Sequence, residues 1–230
     1  MGRHSYTVYI ADTAGLPAGL IESMKTALPR ARREGADRLK SPAGRAESVA
    51  AAYLAYFALC GEIDKGVVYP AAAALLEGIP RVAALADEIG WTVGRHGKPF
   101  PSGIDRSGER IYISISHSRG IAAAAAANLP IGIDVQCIPS MTAGQIKRVA
   151  SKFHPCEYER LMSVPESGLA AEFCRIWVCK ESVMKLCGRG LALPMSSFCI
   201  GDEDCILDGK PVKINAHPLR QGFLAIAQWA

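Results

Sequence analysis

The sequence predicts an α+β fold built as two similar halves, and three observations carry that prediction. Apolar residues alternate with period two at the start, the middle and the end of the chain, which marks strands. Long stretches with helical spacing lie between them. The order is strand, helices and strands, then helices and strands again, which divides the 230 residues into halves at 1–128 and 129–230. No sequence repeat relates the halves, so the duplication is read from element order alone.

Thr7–Ile10 suits a first strand. A basic segment follows, in which Lys25, Arg30, Arg32, Arg33, Arg38, Lys40 and Arg45 face only Glu34 and Asp37. It reads either as a solvated helix face or loop, or as an anion-binding surface. Aromatic residues do not interleave with the charges, so phosphate groups or an acidic protein fit better than nucleic acid. Ser41-Pro42 begins a helix, with Ser as N-cap and Pro at the first helical position. That helix runs through ESVAAAYLAYFALC to Gly61, and Tyr53, Tyr56, Phe57 and Cys60 recur on its core face. A second helical region spans Ala71–Ile89, is interrupted at Gly78-Ile79-Pro80 and ends at Gly90.

Past the loop VGRHGKPFPSG the period changes to two. Ile111, Ile113 and Ile115 alternate with polar neighbours up to His117-Ser118. Helix propensity favours a helix over Ala122–Ala127. Turn residues at both ends (Arg119-Gly120 and Asn128-Leu129-Pro130) and the shortness of the run favour a small-residue strand instead. The meander then ends in IGIDVQ. SKFHPCEYERL reads as a loop entering a helix, and a longer helix spans about Ala171–Leu186 and stops at Gly188. Ile176, Val183 and Leu186 form its core stripe. Strands near Pro211–Ile214 and Gly222–Gln228 finish the chain.

Composition narrows the function classes. Half the residues are hydrophobic and 21% are charged, as in a folded domain rather than a disordered chain. No apolar run reaches the ~20 residues of a membrane-spanning helix. The N-terminus lacks the apolar core of a signal peptide, so the cytoplasm is the expected compartment and no membrane partner is expected. Net charge is a mild +4. None of the eight cysteines forms a C-x-x-C pair, which argues against zinc; without an export signal they are expected to be buried free thiols.

Four features could carry chemistry. Asp134 sits mid-strand in IGIDVQ. A buried carboxylate there needs a partner or a metal, although alternation alone also allows it to face solvent. Trp177, Glu181 and Lys185 share one helix face, as an active-site edge or as an ordinary surface ion pair. His117 ends a strand in SISHS. Arg95 and Lys98 stand in the loop GRHGKP, which is no Walker loop. Together these are the ingredients of Mg²⁺-assisted chemistry on a phosphorylated small molecule.

IGIDVQ, WVCKESVMK and GRGLALPMSSF, in that order and at that spacing, resemble the signature blocks of 4′-phosphopantetheinyl transferases of the surfactin-synthetase-activating type. HGKP, SISHS and SKFHPCEYERL resemble that family's upstream and intervening blocks. The matches run from about Gly94 to Phe198. The resemblance implies a monomeric pseudo-dimer of two α+β halves with the active site at their interface. It implies transfer of the phosphopantetheine arm of coenzyme A to a serine of an apo acyl or peptidyl carrier protein, with release of adenosine 3′,5′-bisphosphate. Asp134 and Glu181 would bind Mg²⁺, and Glu181, or a water it orients, would act as general base toward the carrier serine. Lys185 would stabilise the transferring phosphoryl group and contact coenzyme A. Ser116, His117 and Lys98 match coenzyme A contacts, and Arg38 and Arg45 match a 3′-phosphate contact. The chain departs from the pattern at Gln136, where many members carry Glu; there it would offer the metal a neutral amide. That departure leaves a second expectation, a non-catalytic module that holds coenzyme A or a carrier protein. No nucleic-acid motif is present.

Overall fold

The computed structural model describes residues 4–95, 99–102 and 111–230. The chain divides into two compact units, the first formed mostly of residues up to Ile131 and the second mostly of Gly132–Ala230. Both mix helices with an antiparallel-rich sheet, so the class is α+β. No helix among the described residues is long and apolar enough to cross a membrane.

In the first unit, strands β1 (Tyr6–Asp12), β2 (Gly66–Val68), β5 (Tyr112–Ser118) and β6 (Ile121–Ala127) form one sheet in the order β2-β1-β6-β5. β1 pairs parallel to β2 and antiparallel to β6, and β6 pairs antiparallel to β5. Helices α1 (Ala18–Thr26), α2 (Arg30–Asp37) and α3 (Pro42–Cys60) follow β1; α4 (Ala72–Glu77), α5 (Ile79–Glu88) and the ribbon β3 (Gly90–Val93) with β4 (Pro99–Ser102) precede β5. The alanine run is indeed a strand. All six alanines are fully buried, and Ala122, Ala124 and Ala126 pack in the core that α3 supplies. Methyl side chains let a helix lie close on a central strand, a packing gain that outweighs local helix propensity. Ser41 caps α3 by accepting from Gly44 N–H, with Pro42 in the first turn.

In the second unit, β7 (Ile131–Cys137), β8 (Asp204–Leu207), β9 (Lys210–Leu219) and β10 (Gly222–Trp229) are ordered β7-β10-β9-β8. Between β7 and β8 stand α6 (Ala143–Ala150), α7 (Pro155–Ser163), α8 (Glu166–Cys187) and two 3₁₀ turns, Gly190–Ala192 and Met195–Ser197. Each unit thus sets its first strand beside the last strand of a closing hairpin and packs its longest helix on that last strand. Gly188 ends α8 in the left-handed region at φ 69°. Two further glycines permit close approach. A Cβ on Gly132 would collide with the Ser182 carbonyl and the Leu186 backbone of α8, and one on Gly222 with the Gln136 carbonyl of β7.

The basic segment runs over the end of α1, α2, the turn that holds Arg38 and Lys40, and the start of α3. Both its acids are paired internally, Lys25 with Asp37 and Arg30 with Glu34, each at 2.6 Å. The cysteines are not all free thiols, because Cys156 and Cys199 form a disulfide. The fold sets the N-terminus of α7 beside the segment after the second 3₁₀ turn, through a hydrogen bond of 2.7 Å from Ile200 N–H to Glu157 Oε1. Cys174, Cys179 and Cys205 are buried, as expected.

Candidate active site

β7 and α8 build the site in the second unit. The missing Cβ at Gly132 lets α8 seat directly on β7, which brings one edge of the helix against the strand. Asp134 is only 2% exposed, so the solvent-facing alternative for it does not hold. A carboxylate so buried needs compensation, and Lys185 provides it: its Nζ lies 2.7 Å from Asp134 Oδ1. Gln136 donates from Nε2 to Asp134 Oδ2 at 3.2 Å. Glu181, one turn before Lys185, is half-buried on the same helix edge. Burial pushes its carboxyl pKa above the ordinary value, the Asp134 charge pushes further in the same direction, and Lys185 opposes both. Asp134, Gln136, Glu181 and Lys185 are therefore one electrostatic cluster.

Residues 130–212, which span β7 through the start of β9, match the family model described as the 4′-phosphopantetheinyl transferase superfamily. This region is similar to the 4′-phosphopantetheinyl transferase superfamily. The chain is 35% identical over 114 residues to the 4′-phosphopantetheinyl transferase gsp of Aneurinibacillus migulanus, which covers 50% of the chain and 44% of that protein. It is 32% identical over 116 residues to a 4′-phosphopantetheinyl transferase of Bacillus subtilis, covering 50% and 49%, and 34% identical over 99 residues to HetI of a Nostoc strain, covering 42% and 40%. The chain thus spans about half the length of these relatives or somewhat less.

Within this superfamily region, the adjacent Lys180 and Glu181 of WVCKES point to different environments. Glu181 joins the Asp134 cluster. Lys180 is fully buried and reaches Glu157 Oε2 at 2.8 Å; Glu157 is itself fully buried. Lys180 also donates to the carbonyls of Met195 and Phe198 at 2.7 Å each, and its Nζ lies 4.1 Å from the centre of the Phe198 ring. Burial lowers the Lys180 pKa and Glu157 holds it up. This pair anchors α8 to α7 and to the 3₁₀ segment behind the site. Sequence reasoning missed it; the spacing of SKFHPCEYERL from WVCKES was the only available signal.

Beside Gln136 opens an apolar cavity of about 300 Å³, lined by Cys137, Met141, Val149, Phe173, Cys174 and Trp177 among others. Cys174 is inert there: burial pushes its thiol up to about 12.

The first unit holds the remaining sequence candidates. His117 ends β5 with its side chain 40% exposed, and its Nδ1 lies 3.3 Å from Glu47 Oε2. Glu47 is a second residue that the sequence did not reveal. It is buried in α3 and its other oxygen accepts from Gly120 N–H at 2.6 Å, so one carboxylate fixes both the histidine and the turn behind it. Ser116 is buried, and strand alternation sends it to the face opposite His117. Arg45 donates to the carbonyls of Leu39 and Lys40, and Arg38 is exposed just past α2. Lys98 lies outside the described residues.

Proposed function

We propose that this protein is a 4′-phosphopantetheinyl transferase acting as a monomer in the cytoplasm. It moves the phosphopantetheine arm of coenzyme A to a serine of an apo acyl or peptidyl carrier protein and releases adenosine 3′,5′-bisphosphate. One observation carries the reading: Asp134 of β7 and Glu181 of α8, far apart in sequence, lie close enough for one charge to raise the other's pKa, with Lys185 against Asp134.

The donor set fits Mg²⁺. It offers hard oxygens, two carboxylates and an adjacent amide, and Mg²⁺ commonly takes one or two protein carboxylates and fills its shell with waters and phosphates. The mutual repulsion of Asp134 and Glu181 is a charge excess that a divalent cation would relieve. Asp134 and Glu181 would hold the ion, with Gln136 as a neutral third donor. When bound, Mg²⁺ would offset charge on the diphosphate and on the leaving bisphosphate.

The chain's own residues supply the rest. Glu181, or a water it orients, takes the proton from the carrier serine hydroxyl. The serine oxygen attacks the phosphorus bearing the pantetheine arm, and the bond to the adenosine bisphosphate oxygen breaks. Lys185 stabilises charge on the transferring phosphoryl group. The apolar cavity beside Gln136 takes the uncharged pantetheine arm. His117, oriented by Glu47, and Lys98 neutralise coenzyme A phosphates; Ser116, Arg38 and Arg45 are the further phosphate contacts to test.

The test is a mass measurement. Incubation with Mg²⁺, coenzyme A and an apo carrier protein is expected to add one phosphopantetheine to the carrier, and Asp134→Ala and Glu181→Ala are each expected to abolish the gain. Turnover retained in either variant would remove the metal assignment, and coenzyme A binding with no mass gain would leave only a binding module.

A further inference from the structure

Away from the Asp134 cluster, His154, Cys156 and Cys199 bring Nδ1 and two Sγ atoms within 4.8 Å of one another. We propose that Cys156 and Cys199 form a reversible thiol–disulfide exchange site, with dithiols and small disulfides as its reaction partners. The proposal does not rest on the transferase reading.

Three features support exchange rather than a purely structural bond. First, access: Cys156 alone of the eight cysteines is exposed, and Cys199 is half-buried. Second, activation: Cys156 stands in the first turn of α7, where the helix dipole favours a thiolate. His154 Nδ1, which accepts from the Cys156 N–H, lies 3.0 Å from its sulfur. Third, contrast: burial raises the Cys174 and Cys179 thiols to about 12 and the Cys205 thiol to about 11, so these are poor nucleophiles.

The exchange balances as follows. A thiolate of the dithiol attacks Cys156 Sγ, forms a mixed disulfide and expels Cys199 as thiolate. The second thiol of the reagent then attacks its own bound sulfur, releases Cys156 and closes the reagent's disulfide. Two electrons pass to the protein, and the two protons of the reagent end on Cys156 and Cys199.

The position gives the bond a consequence. Cys199 lies between Phe198, whose carbonyl accepts from Lys180, and Ile200, whose N–H donates to Glu157; Cys156 precedes Glu157. The disulfide is therefore a covalent strap beside the buried Glu157–Lys180 pair, one residue from Glu181.

The experiment treats the oxidised, folded protein with dithiothreitol, labels thiols with a maleimide and maps the labels by peptide mass. Cys156 and Cys199 are expected to label together, on the order of tenfold or more faster than Cys174 and Cys179. Glutathione disulfide is then expected to restore the bond, and in Cys199→Ser to leave a stable glutathione adduct on Cys156. Labelling that requires denaturant, or equal rates at all these cysteines, would overturn the proposal. So would one equivalent of Zn²⁺ that protects both reduced thiols and is lost in His154→Ala, since that outcome makes the cluster a metal site. All readouts are independent of carrier-protein transfer, so failure of either reading is seen separately.

Discussion

Lys180→Met tests whether the buried lysine of the superfamily region anchors the site rather than takes part in the chemistry. Methionine fills nearly the same volume, so the change removes a charge with little cavity. Among the described residues it leaves the fully buried Glu157 carboxylate with the Ile200 and His154 N–H donors, and it strips the Met195 and Phe198 carbonyls of a shared donor. Breaking one side of a buried ion pair costs about 3–5 kcal/mol, even where the intact pair is worth little against an apolar replacement. For a chain of this size that corresponds to a melting-point drop of roughly 6–20 °C. Adding Glu157→Gln removes the stranded charge while keeping an acceptor for Ile200, so the double variant is expected to recover about 1–3 kcal/mol of the loss. Urea unfolding followed by tryptophan fluorescence reads both, since Trp177 lies on α8 in the same unit. A single-variant loss below about 1 kcal/mol, or a double variant no better than the single, would refute the anchoring argument.

Three further outcomes are expected. Glu181→Gln stabilises the protein at alkaline pH: the folded pKa is raised, so Glu181 favours the fold when protonated, and that benefit is lost as pH rises through the raised value. Urea midpoints compared with the parent are expected to diverge at about pH 8 and to converge near pH 4, where the glutamate is largely protonated; no divergence would contradict the repulsion. Gln136→Glu keeps transfer and lowers the Mg²⁺ concentration needed for half-maximal rate, as a titration would show. Gly132→Ala pushes α8 off β7, costs about 1–3 kcal/mol or more by thermal unfolding, and lowers transfer beyond the stability loss because Glu181 and Lys185 move with the helix.

Local signals served well where a single element decides its own form. Ser41-Pro42, Gly188 and the turn residues around Ala122–Ala127 located a helix start, a helix stop and a strand, because caps and turns act over a few residues. α1 escaped notice because it starts after Pro17 without a side-chain cap and buries only Leu20 and Met24. Cys156 and Cys199 are 43 residues apart, and no local pattern reports such a pairing.

From the residues alone one can read the α+β class, the order of the motifs and the acidic and basic side chains that the site gathers. Tertiary structure alone decided which way each of those side chains faces. Period-two alternation is symmetric between inside and outside, and only the packing of α8 on Gly132 buries Asp134 against Lys185. The same packing separates neighbours in sequence, sending Lys180 to Glu157 and Glu181 to Asp134. Charge pairing in a protein interior is a matter of distance through space, and distance through space is what a linear pattern does not carry.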